Sequence, residues 1–284
     1  MSNLQSNANG TDNNNNEDPL SMFRLDGRVA FLSGATGLLG RPMAKALASA
    51  GAHVVLNART QNALEAFVAE LKNAGLSASV ACFDVTDETA VRRHIGLIGE
   101  QHGRLDVLVN NASAGMPGTI DSATARDFEQ LYRVNVVAAF QLLQAAIPLL
   151  KSAGASRVAG ASVINIASMY GSVSPDPSIY GTSGANSPPY YGSAKAGLIQ
   201  LTRYAACHLA SQGIRVNCIS PGPFPSAKYL ERDAQFHGQL KAKNPMHRTG
   251  EPSELQGPLL FLASDASSYV TGISLAVDGG WTAW

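Results

Sequence analysis

Charge of one sign is what this chain most plainly lacks. Its 21 Lys and Arg residues balance 21 Asp and Glu residues, for a net charge of zero. A neutral chain without a basic stripe argues against nucleic acid or an acidic membrane surface as the main partner. Cysteine is scarce too. Cys82, Cys207 and Cys218 are scattered and odd in number, with no metal-ligand spacing. They read as small buried hydrophobes in a reducing compartment, so a cytoplasmic protein without a metal is expected. The six histidines show no paired spacing either. No run of about 18 apolar residues occurs, so no membrane span is expected. The N-terminus lacks a basic start followed by an apolar stretch, so a signal peptide is not expected. It is rich in asparagine instead, including Asn13 to Asn16. Such a segment has nothing to bury, and residues 1–22 are expected to form a disordered tail before one domain over 23–284.

What is present is a sizeable apolar fraction, 45% of the residues against 15% charged. From Leu25 onward short apolar runs alternate with amphipathic stretches. Strands are expected at Arg28–Ser33, His53–Asn57, Ser79–Phe83, Leu105–Val109, Ser162–Ile166, Ile214–Ile219 and Ser274–Val277. Helices are expected at 41–50, 61–73, 88–101, 126–151 (with an uneven start) and 190–212. Strands alternating with helices imply an α/β fold: a single doubly wound domain with a seven-stranded parallel sheet. Ligands of such sheets bind beyond the carboxyl ends of the strands, where strand order reverses.

The first strand runs into Ser33-Gly34-Ala35-Thr36-Gly37-Leu38-Leu39-Gly40. Glycine permits a close backbone approach, and the helix start that follows offers free N–H groups to a pyrophosphate. This is a dinucleotide-binding turn. The second strand ends in Asn57-Ala58-Arg59. An acid here would accept a bond from the ribose 2′-hydroxyl and repel a 2′-phosphate. Arg59 can instead pair with that phosphate, which favours NADP over NAD.

Further along comes Tyr191-Gly-Ser-Ala-Lys195. Four residues apart on a helix, phenol and ammonium share one face. A free phenol ionises at about pH 10, and a nearby cation lowers that value. A tyrosine tuned in this way can exchange a proton with an alcohol or carbonyl.

From Leu25 to the C-terminus the chain resembles the short-chain dehydrogenase/reductase family, in its shorter, single-domain Rossmann branch. Phe83-Asp84-Val85 resembles the segment whose Asp contacts adenine. Asn110-Asn111-Ala112-Ser113 resembles Asn-Asn-Ala-Gly, with Ser113 in place of the glycine. Pro221-Gly222-Pro223-Phe224-Pro225-Ser226 resembles the loop that holds the nicotinamide amide, and Val277-Asp278-Gly279-Gly280 the closing segment. The resemblance implies a catalytic quartet of Asn135, Ser168, Tyr191 and Lys195. It implies cofactor contacts from Gly34, Thr36, Gly37, Leu39, Gly40, Asn57, Arg59, Asp84, Val85, Asn111, Ala112, Ser113, Tyr191, Lys195, Pro221, Gly222, Phe224 and Ser226. It also implies hydride exchange between a nicotinamide and a carbonyl or secondary alcohol, and a homotetramer with paired long helices.

Two features depart from the family. The glycines of the turn are spaced two and two, as in the longer, epimerase-like branch. The stretch between Ser168 and Tyr191 is longer than usual, with extra residues within Ser172 to Pro189 that include Pro175, Pro177, Pro188 and Pro189. These form either a lid or substrate wall, or a surface excursion or subunit contact. Ser226 to Arg248 is expected to be a helical flap over the site. It carries Lys228, Arg232, Lys241, Lys243 and Arg248 against Glu231 and Asp233. Such a balance suits an acidic substrate such as a sugar acid, or belongs to a solvated face. Trp281 and Trp284 are placed to pack at a subunit contact or to cap a neighbouring site. Three activities remain open: an NADP(H)-dependent reductase or dehydrogenase of gluconate 5-dehydrogenase type, a 3-oxoacyl carrier-protein reductase, or a nicotinamide-sensing protein without turnover.

Overall fold

Seven apolar runs become seven parallel strands, ordered β3-β2-β1-β4-β5-β6-β7. They are β1 (Val29–Leu32), β2 (His53–Ala58), β3 (Ala78–Cys82), β4 (Val107–Asn110), β5 (Ala161–Ile166), β6 (Ile214–Pro221) and β7 (Ser274–Val277). The structure is a computed structural model that describes residues 18–115, 118–181, 186–226 and 234–284. Strands β1, β4, β5 and β6 are buried along their whole length, as a sheet covered on both faces requires. Two clusters fill the layers above and below the sheet. One centres on Leu32, Leu47 and Leu56, the other on Phe31, Leu108 and Val163.

The helices are α1 (Gly40–Ser49), α2 (Gln61–Asn73), α3 (Glu88–His102), α4 (Ala125–Tyr132), α5 (Ala138–Gly154), α6 (Pro189–Leu209), α7 (Ala234–Lys243) and α8 (Gln256–Ala263). Each expected element forms, with ends shifted by a few residues. The uneven start of the 126–151 helix is a π-turn at Arg133–Val137 between α4 and α5. Helix α8 was not anticipated. Its sequence, Gln-Gly-Pro-Leu-Leu-Phe-Leu-Ala, is too uniformly apolar to show a helical period.

Three expectations need correction or a boundary. The N-terminal tail was expected to be unstructured through residue 22, yet Pro19–Phe23 forms a 3-10 turn. Asp18 Oδ1 accepts from Leu20 N at 3.0 Å, and a proline at the first helical position presets φ. Residues 1–17 lie outside the described residues. Cysteines were expected to be buried, but Cys207 is exposed on α6, while Cys218 is buried. Finally, Ala125–Gly154 as a continuous helical run is long and apolar enough to cross a membrane. Its apolar side packs on β4, β5 and α3, where Leu142, Ala146 and Leu150 join the core.

Strand order reverses between β1 and β4, which carry the glycine turn and Asn111 at their carboxyl ends. Ser168 follows β5, and Pro221 ends β6. The topology therefore lines up four separate motifs along one edge of the sheet.

Candidate active site

Ser33 ties the two halves of the sheet together at the point of reversal. Its hydroxyl accepts from the backbone N–H groups of Asn111 and Ala112, both at 3.0 Å. The Asn111 amide donates to the carbonyls of Ser33 (3.1 Å) and Gly34 (3.0 Å). Asn111 thus holds the glycine turn in shape rather than reaching outward. Two glycines are required here. Gly34 has φ of +67°, and a Cβ on Gly40 would sit 2.2 Å from the Gly34 carbonyl oxygen.

Above this turn lies a cleft of about 470 Å³. Gly34, Thr36, Gly37, Leu39, Gly40, Asn57, Arg59, Asp84, Val85, Asn111, Ala112 and Ser113 all line it, as expected from the sequence. Leu38, Phe83, Thr86 and Val134 line it too, and were missed. Phe83 and Thr86 flank the Asp84 segment, so proximity in sequence was a usable signal. Val134 is brought in only by the π-turn.

The cleft fits a dinucleotide on its own terms. No side chain caps the first turn of α1, and that turn holds no acid; Arg41 N–H is taken by Gly37 O and Met43 N–H by Leu39 O, so the Gly40 N–H is the first-turn donor left for an anion. Arg59 is exposed at the rim. Burial pushes the Asp84 carboxyl up. Bonds from Thr86 N and Oγ1, both at 2.8 Å, and the positive charges of Arg59 and Arg133 outweigh it, so the net shift is downward. One expected contact has another use. The Asn57 amide is buried and donates to the carbonyls of Ala81 (2.9 Å) and Phe83 (3.0 Å), fastening β2 to β3.

Ser113 links the cleft to the quartet. Its hydroxyl donates to Asn135 Oδ1 at 2.9 Å, a bond the family's glycine cannot make. The Asn135 amide in turn donates to Leu131 O at 3.0 Å, tying the π-turn back to α4. Such turns interrupt helices most often at functional sites.

Ser168, Tyr191 and Lys195 come together as expected. The Ser168 hydroxyl is close enough to the Tyr191 phenol to favour its ionised form, and it accepts from Tyr170 N at 3.2 Å. Lys195 Nζ lies 5.7 Å from the centre of the Tyr191 ring. The electrostatics differ from the expectation that the ammonium acidifies the phenol. Lys195 is buried, donates to Ile166 O at 2.8 Å, and is brought down to about 7 by loss of water. Burial pushes the Tyr191 hydroxyl up, against the opposing pull of Ser168. Dehydration dominates for both groups, so the cofactor-free site holds a protonated phenol.

Pro221, Gly222, Phe224 and Ser226 lie at the end of β6 and just beyond it. A Cβ on Gly222 would meet Asp278 Cα at 2.6 Å, so this loop packs tightly on the closing segment. Phe224 lines a second cavity, of about 450 Å³, with Asn244, Arg248 and Gly279. These four residues do not line the glycine-turn cleft.

Of the flap, Lys228, Glu231, Arg232 and Asp233 lie outside the described residues. Lys243 pairs with Asp176 at 2.5 Å and Arg248 with Glu254 at 2.6 Å. Neither is the unpaired cation that the acidic-substrate reading assumed. Trp281 is buried against Met169 and Leu240, whereas Trp284 is exposed.

Comparison with known proteins agrees with this geometry. The family model described as enoyl-(acyl carrier protein) reductase matches residues 34–282. A gluconate 5-dehydrogenase of Gluconobacter oxydans is 33% identical over 92% of this chain and 97% of its own. A rhamnolipid-biosynthesis 3-oxoacyl-[acyl-carrier-protein] reductase of Pseudomonas aeruginosa is 34% identical over 91% and 98%. The solved gluconate 5-dehydrogenase of Burkholderia cenocepacia, in complex with NADP and tartrate, superposes with a TM-score of 0.84 at 32% identity, covering 94% of this chain and all of that one. The chain belongs to the short-chain dehydrogenase/reductase family. Within it, the protein is an oxidoreductase acting between alcohol and carbonyl groups.

Proposed function

We propose that the protein is an NADP(H)-dependent oxidoreductase of a sugar acid or related hydroxy compound, working at Ser168, Tyr191 and Lys195. The observation that carries this reading is the grouping of Ser168 and Tyr191 beside buried Lys195, at the same carboxyl end of the sheet as the glycine-turn cleft. A bound nicotinamide supplies or accepts the hydride. Tyr191 gives its hydroxyl proton to the substrate oxygen in reduction and takes it back in oxidation. Ser168 donates a hydrogen bond to that oxygen as charge develops there. Lys195, fixed by Ile166 O, would hold the nicotinamide ribose. Asn135 braces the π-turn behind them. A phenol kept protonated by burial is the form that reduction consumes.

Gluconate dehydrogenases among the structural relatives support a sugar acid as substrate. The test is a panel of gluconate with NADP, and 5-ketogluconate, simple ketones and acetoacetyl thioesters with NADPH, each repeated with the NAD form. The expected result is kcat/KM highest for the gluconate/5-ketogluconate pair, with NADPH preferred to NADH. Arg59→Ala is expected to lower kcat/KM for NADPH by about tenfold or more and leave NADH nearly unchanged, since a charged hydrogen bond is lost. Equal losses with both cofactors would remove Arg59 from 2′-phosphate recognition. A 3-oxoacyl reductase remains the second reading, favoured by the Pseudomonas relative; highest kcat/KM on the thioester would establish it.

The homotetramer is supported by Phe128, Tyr132, Phe140 and Tyr204, large apolar residues exposed on α4, α5 and α6. Light scattering is expected to give four times the chain mass. A monomer would contradict the assembly but leave the chemistry standing. The neutral chain and its unpaired cysteines support a cytoplasmic location.

A further inference from the structure

Among the residues inserted between Ser168 and Tyr191, Asp176–Tyr180 do not run free over the surface. Asp176 accepts from Lys243 Nζ at 2.5 Å, at the last turn of α7. Lys243 Nζ also lies 5.8 Å from the centre of the Trp281 ring. Tyr180 stacks on Phe236 of α7, with ring centres 5.3 Å apart. Ile179 is buried with Leu240 of α7, Met169 and Trp281. The insertion, α7 and the C-terminus thus meet in one cluster, and that cluster adjoins the chemistry. Met169 is the next residue after Ser168. Tyr170 and Tyr180 both pack on this cluster, and the Tyr170 N–H donates to Ser168 Oγ at 3.2 Å.

The local sequence explains the fit. Asp176 caps a 3-10 turn at Pro177–Tyr180, accepting from Ser178 N at 2.9 Å and Ser178 Oγ at 2.8 Å. Pro177 at the first position fixes the turn's entry. One carboxylate therefore shapes the turn with one oxygen and holds α7 with the other. The Lys243 bond and those from Ser178 keep this carboxyl well below its usual range, so it stays ionised throughout the neutral region.

The geometry points to a positioning role for Asp176 and Tyr180: they form the seat that sets helix α7 relative to Ser168, and so determine how tightly the carbonyl substrate is held. This rests on the oxidoreductase reading for its kinetic half alone. It gives the long insertion a function in substrate binding rather than in cofactor binding or proton transfer.

The test compares Asp176→Asn, Lys243→Gln, Tyr180→Ala and the charge exchange Asp176→Lys/Lys243→Asp in the full chain. Amide hydrogen exchange over residues 234–243 is read without substrate. KM and kcat are then read with NADPH and whichever of 5-ketogluconate, cyclohexanone and an acetoacetyl thioester turns over best. Each single charge variant is expected to speed exchange in α7 and raise KM about threefold to fivefold, the scale of one partly exposed ion pair. Tyr180→Ala, which loses the stack on Phe236 and its packing on the buried cluster, is expected to raise KM about tenfold. In all of them kcat and the Kd for NADPH should stay within about twofold, and the charge exchange, which restores the ion pair but not the bonds from Ser178, should recover part of the loss. Unchanged exchange in α7 would overturn the seat whether or not any substrate turns over. Faster exchange with unchanged KM would overturn its role in substrate binding. Absence of turnover by the unmodified protein would count against the oxidoreductase reading, and the exchange data would still decide the contact.

Discussion

Replacing Tyr191 with phenylalanine is expected to cut turnover by about two orders of magnitude or more while NADPH affinity holds within a few-fold. The phenol is the proton donor to the substrate oxygen, and loss of a positioned acid costs about 10²–10⁴ in rate. The ring itself remains, so packing at the start of α6 is kept. Ser168 keeps its bond from Tyr170 N. Measured kcat and the Kd for NADPH should therefore separate cleanly. A variant that turns over like the parent would mean that the proton comes from elsewhere. A variant that loses NADPH along with turnover would mean that Tyr191 is part of the binding surface first.

Lys195→Met is expected to have the second-largest effect, with a signature that does not need a substrate. The ammonium is buried and its pKa falls from 10.5 to about 7, because burial disfavours the charged form. In the unfolded chain the lysine keeps its proton to about 10.5. Between about 7 and 10.5 the unfolded state therefore binds more protons than the folded state, and stability contributed by this residue rises with pH. Below about 7 the full cost of a buried ammonium is present. The thermal midpoint of the cofactor-free protein, measured against Lys195→Met, should climb between pH 7 and pH 9. A gain on the order of 1–3 kcal/mol is expected from a shift of this size. A flat difference would show that the lysine stays charged in the fold. Turnover of the variant should drop by about a hundredfold, since the residue that orients the ribose and supports the phenol is gone.

These results bear on what could be read before folding. The seven strands and the glycine turn were legible because apolar runs and glycines at a strand end carry their own physical reasons. The pairing of Tyr191 with Lys195 followed from helical spacing. Charge state did not. Spacing shows that two groups are neighbours but not how much water surrounds them, and dehydration raises Tyr191 and lowers Lys195. Asn57 and Asn111 were expected to face a ligand, yet both amides are consumed by carbonyls of neighbouring strands and turns. No one-dimensional pattern distinguishes those uses. Lys243 and Arg248 looked like free cations because Asp176 is far away in sequence and Glu254 is a turn of chain further on. Helix α8 escaped notice because an evenly apolar helix has no period to detect.

The extra residues after Ser168 were equally illegible. Proline, serine and glycine describe a loop without saying what it touches. Only the fold shows Asp176 and Tyr180 against α7, and with them a route from the long stretch after Ser168 back to the serine of the quartet.

The most direct measurement of the central claim is isotope transfer. NADPH carrying deuterium at nicotinamide C4 is incubated with the protein and 5-ketogluconate, and the alcohol product is examined by mass spectrometry. Label on the former carbonyl carbon, formed by the parent protein and at least about a hundredfold more slowly by Tyr191→Phe, is the predicted result. Cofactor oxidised without label reaching the product, or label transferred equally well without the phenol, would contradict it.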